Sequence, residues 1–109
     1  MLPDGVSFED AALLEPLACC VKAYARVQLR PEESVLVLGL GSMGQMLVAL
    51  ARDLGARPVV AGDFVASRRD KARELGAAAA IDPSSEDLAA AVRAANDGRL
   101  ADVVIVGPG

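Results

Sequence analysis

The chain has 109 residues, the usual size of one domain. Its 15 acidic and 11 basic side chains give a formal net charge of −4. A protein that binds the nucleic acid backbone normally carries the opposite charge, so no nucleic acid partner is expected. No apolar run approaches the roughly 20 residues that span a bilayer, and the N-terminal residues lack the pattern of a signal peptide. We therefore expect a cytoplasmic protein without a membrane partner.

The chain contains two cysteines, Cys19 and Cys20, and no histidine. Neighbouring cysteines rarely form a disulfide because the geometry is strained. We interpret both as small packing residues in a reducing compartment. Without histidine, this sequence lacks the commonest general base and a common metal ligand.

The first 33 residues predict helical structure. Ser7 and Asp10 form a helix-start signature ahead of an apolar run. Pro16 lacks a backbone N–H and is expected to break or restart the helix. Pro31 closes the segment. We therefore expect a bent helical pair over residues 1–33.

From residue 34 onward, apolar strand-like runs alternate with helical segments. The predicted strands are residues 34–38, 59–61, 78–81 and 102–106. The predicted helices are residues 45–54, 67–75 and 86–95, and the last begins at a capping box formed by Ser84 and Asp87. Strands and helices that alternate at this length are typical of βαβ crossovers, so residues 34–109 predict an α/β fold with a parallel sheet.

A glycine-rich run, GLGSMG, follows the first strand and precedes the first helix of that region. The pattern G-x-G-x-x-G in this context predicts a dinucleotide-binding turn. Its first glycine permits the tight turn, its second leaves room for the pyrophosphate, and its third lets helix and strand approach closely. The helix N-terminus offers free N–H groups to the anion. The candidate pyrophosphate-binding residues are Gly39, Gly41, Ser42, Met43 and Gly44. The alternative interpretation is a plain strand–helix turn.

Asp63 lies 19 residues after Gly44, directly after the second predicted strand. A carboxylate there can accept hydrogen bonds from the adenosine ribose and repels a 2′-phosphate, which favours NAD over NADP. An ordinary turn aspartate is the alternative. Arg68 and Arg69 are interpreted first as solvated helix charges, although a guanidinium near the ribose could accept a 2′-phosphate. Arg68 is kept as a candidate cofactor-binding residue.

Several segments resemble the zinc-type medium-chain dehydrogenases, the group that contains alcohol, sorbitol and threonine dehydrogenases. The opening LPDGVSFEDAALLEPLACCVKA resembles the segment that links the catalytic and cofactor domains of this family. SVLVLGLGSMG resembles its phosphate-binding strand and turn, and ADVVIVGPG resembles its fourth strand. The stretch from Asp63 through Arg68 to Ala77 resembles its second strand and following helix.

The resemblance implies a Rossmann-type three-layer fold with strand order 3-2-1-4, present here in incomplete form. Residues 1–33 would be a helical bridging segment and residues 34–109 a partial NAD-binding domain. The complete enzyme would transfer hydride between an alcohol or polyol and NAD, with zinc polarising the substrate. Glu15, which precedes Pro16, matches an acidic zinc ligand or near neighbour of polyol-type members. The family's other zinc ligands are missing from this sequence, so we expect neither tight zinc binding nor catalysis by the chain alone.

Two further expectations remain open. A non-catalytic dinucleotide-binding or interaction module is the main alternative function, and a methyltransferase-like domain that binds S-adenosylmethionine is a weaker one. The last predicted strand is apolar and would form a sheet edge whose N–H and C=O groups are unpaired. We therefore expect self-association, most simply as a two-fold dimer through residues 102–106, unless a separate partner chain covers that edge.

Overall fold

The computed structural model describes the backbone of residues 8–106 and the side chains of residues 18–106. Within that range four helices and four strands follow one another along the chain: α1 (Phe8–Val27), β1 (Val35–Leu38), α2 (Ser42–Asp53), β2 (Val59–Gly62), α3 (Ala66–Glu74), β3 (Ala79–Ile81), α4 (Leu88–Ala95) and β4 (Val103–Val106). None of these helices is long and apolar enough to cross a membrane.

The four strands form one parallel sheet in the order β3-β2-β1-β4, which confirms the predicted fold class and strand order. The central strand β1 pairs in register with both neighbours: Val35 lies beside Val59 on one side and Val103 on the other. Strands β1 and β2 are short apolar runs because helices cover both of their faces. A sheet of this kind brings the carboxyl ends of β1 and β2 to the same edge.

Two apolar clusters lie on opposite faces of the sheet. On one face Val35 and Val37 pack with Leu47 and Val48 of α2, in a cluster that also contains residues of α1 and α3. On the other face Leu36 packs against α4 in a smaller cluster. Burying one such aliphatic side chain contributes about 1.5–3 kcal/mol. The molecule is therefore a three-layer α/β sandwich, as predicted.

Helix α1 differs from the expected helical pair. It runs as a single helix from Phe8 to Val27, straight through position 16. Proline removes one backbone donor, but the hydrogen bonds of the turns on either side remain to continue the helix. Tyr24 of α1 is buried and its hydroxyl donates to the Leu47 carbonyl of α2. Cys20 is buried as a packing residue, whereas Cys19 is exposed, contrary to expectation.

Two helix starts also differ from the prediction. Helix α2 begins at Ser42, three residues early, because Gly41 acts as its N-terminal cap residue and the last part of the glycine motif is already helical. Helix α4 begins at Leu88, where the Asp87 carboxylate accepts a hydrogen bond from the Ala90 N–H at 3.2 Å. Ser84 does not cap this helix, since its hydroxyl donates to the neighbouring Asp82 carboxylate.

Candidate dinucleotide-binding site

The glycine motif and Asp63 meet at the carboxyl edge of the sheet. Leu38 and Gly62, the last residues of β1 and β2, are paired in the parallel register. The N–H of Gly39 donates to the Gly62 carbonyl at 2.9 Å, which continues this pairing one residue beyond β1. Ligands of open parallel sheets bind outside the carboxyl ends of the strands, so this edge is the expected place for a cofactor.

The three glycines of the motif meet different structural requirements. Gly39 has φ of +89°, a left-handed conformation that favours glycine. A Cβ on Gly44 would lie only 1.8 Å from the Gly39 carbonyl oxygen, so the helix can approach the turn only without a side chain there. Gly41 has φ of −66° and ψ of −170°, which any residue can adopt. Its backbone conformation therefore does not explain why glycine stands at position 41.

Helix α2 directs its N-terminus towards the glycine turn. Its hydrogen-bond ladder starts with the Gln45 N–H, which donates to the Gly41 carbonyl. The N–H groups of Ser42 and Met43 precede that first bond, and glycine at position 41 has no side chain to cap them. Such N–H groups carry a partial positive charge that attracts anions. The start of α2 therefore offers these two N–H groups to an anion.

Asp63 is 8% exposed and joins the glycine turn to the start of α3. Its Oδ2 accepts the N–H of Leu40 at 2.7 Å, and its Oδ1 accepts the N–H of Val65 at 2.8 Å. Burial pushes the pKa of Asp63 upward, but these two donors and the nearby Arg68 outweigh burial and hold the pKa below its ordinary value of 3.8. Asp63 is therefore ionised at neutral pH and held beside the turn.

Of the two neighbouring arginines, Arg68 is a solvated helix charge as first expected, whereas Arg69 is not. Arg68 places its Nη1 3.6 Å from Asp63 Oδ2 with about half of its side chain exposed. Arg69 is mostly buried, because its Nη1 donates to the carbonyls of Asp63 and Phe64 at 3.0 Å each. Arg68 thus faces the site, and Arg69 stabilises the turn that carries Asp63. A helical pattern alone does not reveal such contacts with a preceding loop.

An apolar pocket opens next to Asp63 and was not predicted. It measures about 440 Å³, and the side chains that give it its apolar character are Leu38, Phe64, Val65, Pro83 and Leu88. Phe64 is 69% exposed, which is unusual for a large aromatic side chain without a partner. The signal in the sequence was the apolar pair Phe64-Val65 directly after the acid. A flat aromatic base fits a pocket of this character.

On the other side of Arg68 lies a more polar pocket of about 300 Å³. Gly41 and Ser42 of the turn line it, together with Gln45 of α2 and with Ser67, Arg68 and Lys71 of α3. The two basic side chains and the two hydroxyls can all donate hydrogen bonds to phosphate oxygens. The turn is therefore flanked by an apolar pocket and a basic one.

Glu15, the candidate zinc residue, lies outside the residues whose side chains are described, so its role stays a prediction. Among the described residues, no group of three or more cysteine, aspartate, glutamate or histidine side chains could hold a metal ion. Zinc prefers three or four such ligands. The described residues therefore do not fit a zinc site.

A parallel sheet in this order, with a G-x-G-x-x-G turn and an acid after the second strand, defines the Rossmann-type class of α/β domains. The family described as zinc-binding dehydrogenase matches residues 42–109, more than half of the chain. The chain belongs to this family, which confirms the resemblance stated above.

Relatives of this family are named as polyol and alcohol dehydrogenases. D-arabitol-phosphate dehydrogenase of Enterococcus avium is 39% identical over 106 residues, which are 95% of this chain and 30% of that protein. Sorbitol dehydrogenase of Bacillus subtilis (strain 168) is 32% identical over 94% of this chain and 29% of its own length. The chain therefore spans about three tenths of the curated relatives it matches.

Solved structures agree on the fold. The alcohol dehydrogenase TADH from Thermus sp. ATN1 superposes with a TM-score of 0.88 at 32% identity, covering 99% of this chain and 32% of that one. A zinc-binding dehydrogenase from Sinorhizobium meliloti 1021, bound to NADP, has a TM-score of 0.79 at 35% identity, covering 86% of this chain and 28% of that one.

Proposed function

We propose that the chain binds the ADP portion of NAD at the carboxyl edge of its sheet. The observation that carries this proposal is the 2.7 Å hydrogen bond from the Leu40 N–H to Asp63. It holds an ionised carboxylate at the end of β2 directly beside a glycine turn at the end of β1. Beside this carboxylate lie the free N–H groups at the start of α2 and an apolar pocket of about 440 Å³, which a turn that only connected a strand to a helix would not require.

Each part of the ligand has a matching surface. The pyrophosphate would accept hydrogen bonds from the N–H groups of Ser42 and Met43. It would lie over Gly41, where a side chain would block it. A carboxylate has about four acceptor positions; the backbone uses two of those on Asp63 and Arg68 lies near Oδ2, which leaves at least one position for a ribose hydroxyl. Adenine would enter the apolar pocket beside Phe64.

We propose NAD as the preferred cofactor. A 2′-phosphate on the ribose would approach the ionised Asp63, which repels it. Arg68 lies near that carboxylate and helps to lower its pKa, so it stabilises the ionised form of Asp63 that favours NAD. NADP is the relevant competitor, since the basic pocket with Lys71 is adjacent and the Sinorhizobium meliloti structure contains NADP.

The complete protein would then be an NAD-dependent alcohol or polyol dehydrogenase, a proposal supported by the names of its relatives. When bound, NAD accepts or donates the hydride, and the described residues would bind and orient its ADP half. Residues 1–33 would be the bridging segment and residues 34–109 the partial cofactor domain. The chain alone is proposed to be inactive. We also propose a cytoplasmic location, which the two free cysteines support.

Calorimetric titration of the chain with NADH, NADPH and ADP-ribose tests this function. We expect NADH and ADP-ribose to bind and NADPH to bind more weakly, by about tenfold or more. Gly41→Val should reduce the affinity for ADP-ribose by at least about 100-fold while the fold persists, because valine can adopt the backbone angles found there. Tighter binding of NADPH would overturn the NAD assignment, and full affinity in a folded Gly41→Val variant would overturn the site.

We further propose that strand β4 mediates self-association. In the described residues β4 pairs only with β1, and Val104 and Val106 are 56% and 74% exposed. An apolar strand with an unpaired edge can pair with a second copy of itself. Light scattering at micromolar concentration should detect a dimer that Val104→Lys dissociates. A monomeric wild-type chain would contradict the proposal.

A further inference from the structure

Gln45 belongs to α2 and lines the basic pocket between the glycine turn and α3, although no sequence motif marks it as a site residue. Its side-chain Nε2 donates to the Leu40 carbonyl at 3.2 Å and to the Arg68 carbonyl at 2.9 Å. Leu40 belongs to the glycine turn, and Arg68 to the first turn of α3. One amide group therefore connects the proposed pyrophosphate surface to the helix that follows Asp63.

Together with Asp63, this amide holds the glycine turn from both sides. The N–H of Leu40 donates to the Asp63 carboxylate, and its carbonyl accepts from Gln45. Glycine-rich segments have more accessible backbone conformations than others, so an unsupported turn would fluctuate. Both backbone polar groups of Leu40 are instead held by side chains from outside the turn.

The two ends of the Gln45 amide have different surroundings. Its Oε1 is buried and has no hydrogen-bond partner among the residues that the structure describes. An unpaired buried acceptor costs about 1–3 kcal/mol. An apolar side chain of similar length would avoid that cost, but it would leave the Leu40 and Arg68 carbonyls without this donor. What glutamine contributes here is the pair of hydrogen bonds that its NH₂ group donates.

We propose that Gln45 is a positioning residue that sets the distance between the pyrophosphate and ribose surfaces. This inference rests on the proposed function. A ligand that bridges two surfaces binds the second one intramolecularly, at an effective concentration set by their relative position. If the two surfaces become free to move relative to each other, the affinity for the bridging ligand falls, but the affinity for each half of the ligand stays the same.

The test compares a bridging ligand with its two halves. Titrations followed by NMR measure ADP-ribose, adenosine and inorganic pyrophosphate on the wild-type chain and on Gln45→Met. We expect ADP-ribose to bind the variant about tenfold more weakly, and adenosine and pyrophosphate to bind within about twofold of wild type. Gln28→Met is the matched control: it changes the chain's other glutamine, exposed beyond the end of α1, and should leave all three affinities unchanged.

The outcomes distinguish a failure of this inference from a failure of the proposed dinucleotide-binding function. A wild-type chain that fails to bind ADP-ribose would overturn the proposed function. If the wild type binds it, unchanged ADP-ribose affinity in Gln45→Met would overturn the positioning role. A parallel loss of all three probes would also overturn it, since that pattern indicates a general structural role. If Gln45→Met does not fold, Gln45→Leu replaces it in the same three titrations, and the same outcomes decide.

Discussion

The two ends of the parallel sheet use similar polar chemistry for different purposes. At the amino end, Ser34 is 2% exposed and Asn96 is 5% exposed. The Ser34 hydroxyl donates to the Asp102 carboxylate at 3.0 Å and accepts from the Asn96 side chain at 3.1 Å. The backbone N–H of Asp102 also donates to the Ser34 hydroxyl, at 2.9 Å. This network links β1, β4 and the end of α4.

At the carboxyl end, Asp63 also accepts backbone N–H groups from two segments. Its surroundings differ, because it lies between a glycine turn, an exposed arginine and an apolar pocket of about 440 Å³. Each of the two carboxylates accepts two hydrogen bonds, but Asp63 also lies near the N–H groups at the start of α2 and beside an apolar pocket that a ligand can enter. An aspartate that bridges segments is thus a structural residue in one place and a candidate binding residue in the other.

The largest expected effect comes from Gly44→Ala. The added Cβ would overlap the Gly39 carbonyl, which belongs to backbone and cannot move aside without displacing the turn. We expect a loss of about 3 kcal/mol or more in the free energy of unfolding, at the upper end for an overpacked site. Urea denaturation measures it.

Gly98→Ala is the control for that substitution. Gly98 has φ of +82°, but nothing lies within 4 Å of where its Cβ would be. Alanine there should cost only the backbone strain, about 1 kcal/mol. Equal effects of the two substitutions would show that the close approach at Gly44 is not what requires glycine.

Asn96→Ala tests the amino-end network. It removes the side-chain NH₂ group that donates to the Ser34 hydroxyl and to the Arg99 and Leu100 carbonyls. We expect the free energy of unfolding to fall by about 2 kcal/mol. The affinity for ADP-ribose should stay within about twofold, because the substituted residue lies at the opposite end of the sheet. A large loss of affinity in the folded variant would contradict the separation of the two ends.

Asp63→Asn should have a smaller effect that appears mainly in cofactor choice. The substitution keeps the shape but removes the negative charge that repels a 2′-phosphate. We expect the preference for NADH over NADPH to narrow by about tenfold, equal to about 1.4 kcal/mol. Titration with both cofactors measures this ratio. Asp102→Asn, the same change at the amino end, should leave the ratio unchanged, and an equal shift in both variants would argue against a local effect of Asp63.

The strands and the glycine turn could be predicted from the sequence because both depend on local signals, whereas the strand order was expected from the resemblance to a known family. Apolar β-branched runs mark β1 and β4, and the spacing from Gly44 to Asp63 follows from one intervening helix and strand. The error at Pro16 arose because local propensity ignores the remaining helical hydrogen bonds.

Contacts between distant segments could not be predicted in the same way. Gln45 reaches Arg68 across 23 positions, and Asn96 reaches Ser34 across 62. Neither residue belongs to a motif, and each has its partner only once the helices pack on the sheet. Arg69 illustrates the same point, because its place in a charged helix suggested exposure while its contacts are with the loop before that helix.

The smallest expected effect is the response of stability to acid, and it distinguishes the two ends again. Hydrogen bonds from Ser34 lower the pKa of Asp102, and burial raises the pKa of Asp63 but is outweighed by the Leu40 and Val65 donors together with Arg68. The unfolded chain therefore binds protons more readily than the folded one at these groups. Their stabilisation is present above about pH 4 and is lost as the pH falls through the lowered folded values. Denaturation between pH 7 and pH 2 should show this loss, and both asparagine variants should reduce the dependence of the free energy of unfolding on pH.

Saturating ADP-ribose should shift the acid transition to lower pH in the Asp102→Asn variant but much less in Asp63→Asn, since only Asp63 is proposed to bind the ligand in its ionised form. Equal shifts in the two variants would mean that the carboxylate at the open end takes no part in binding.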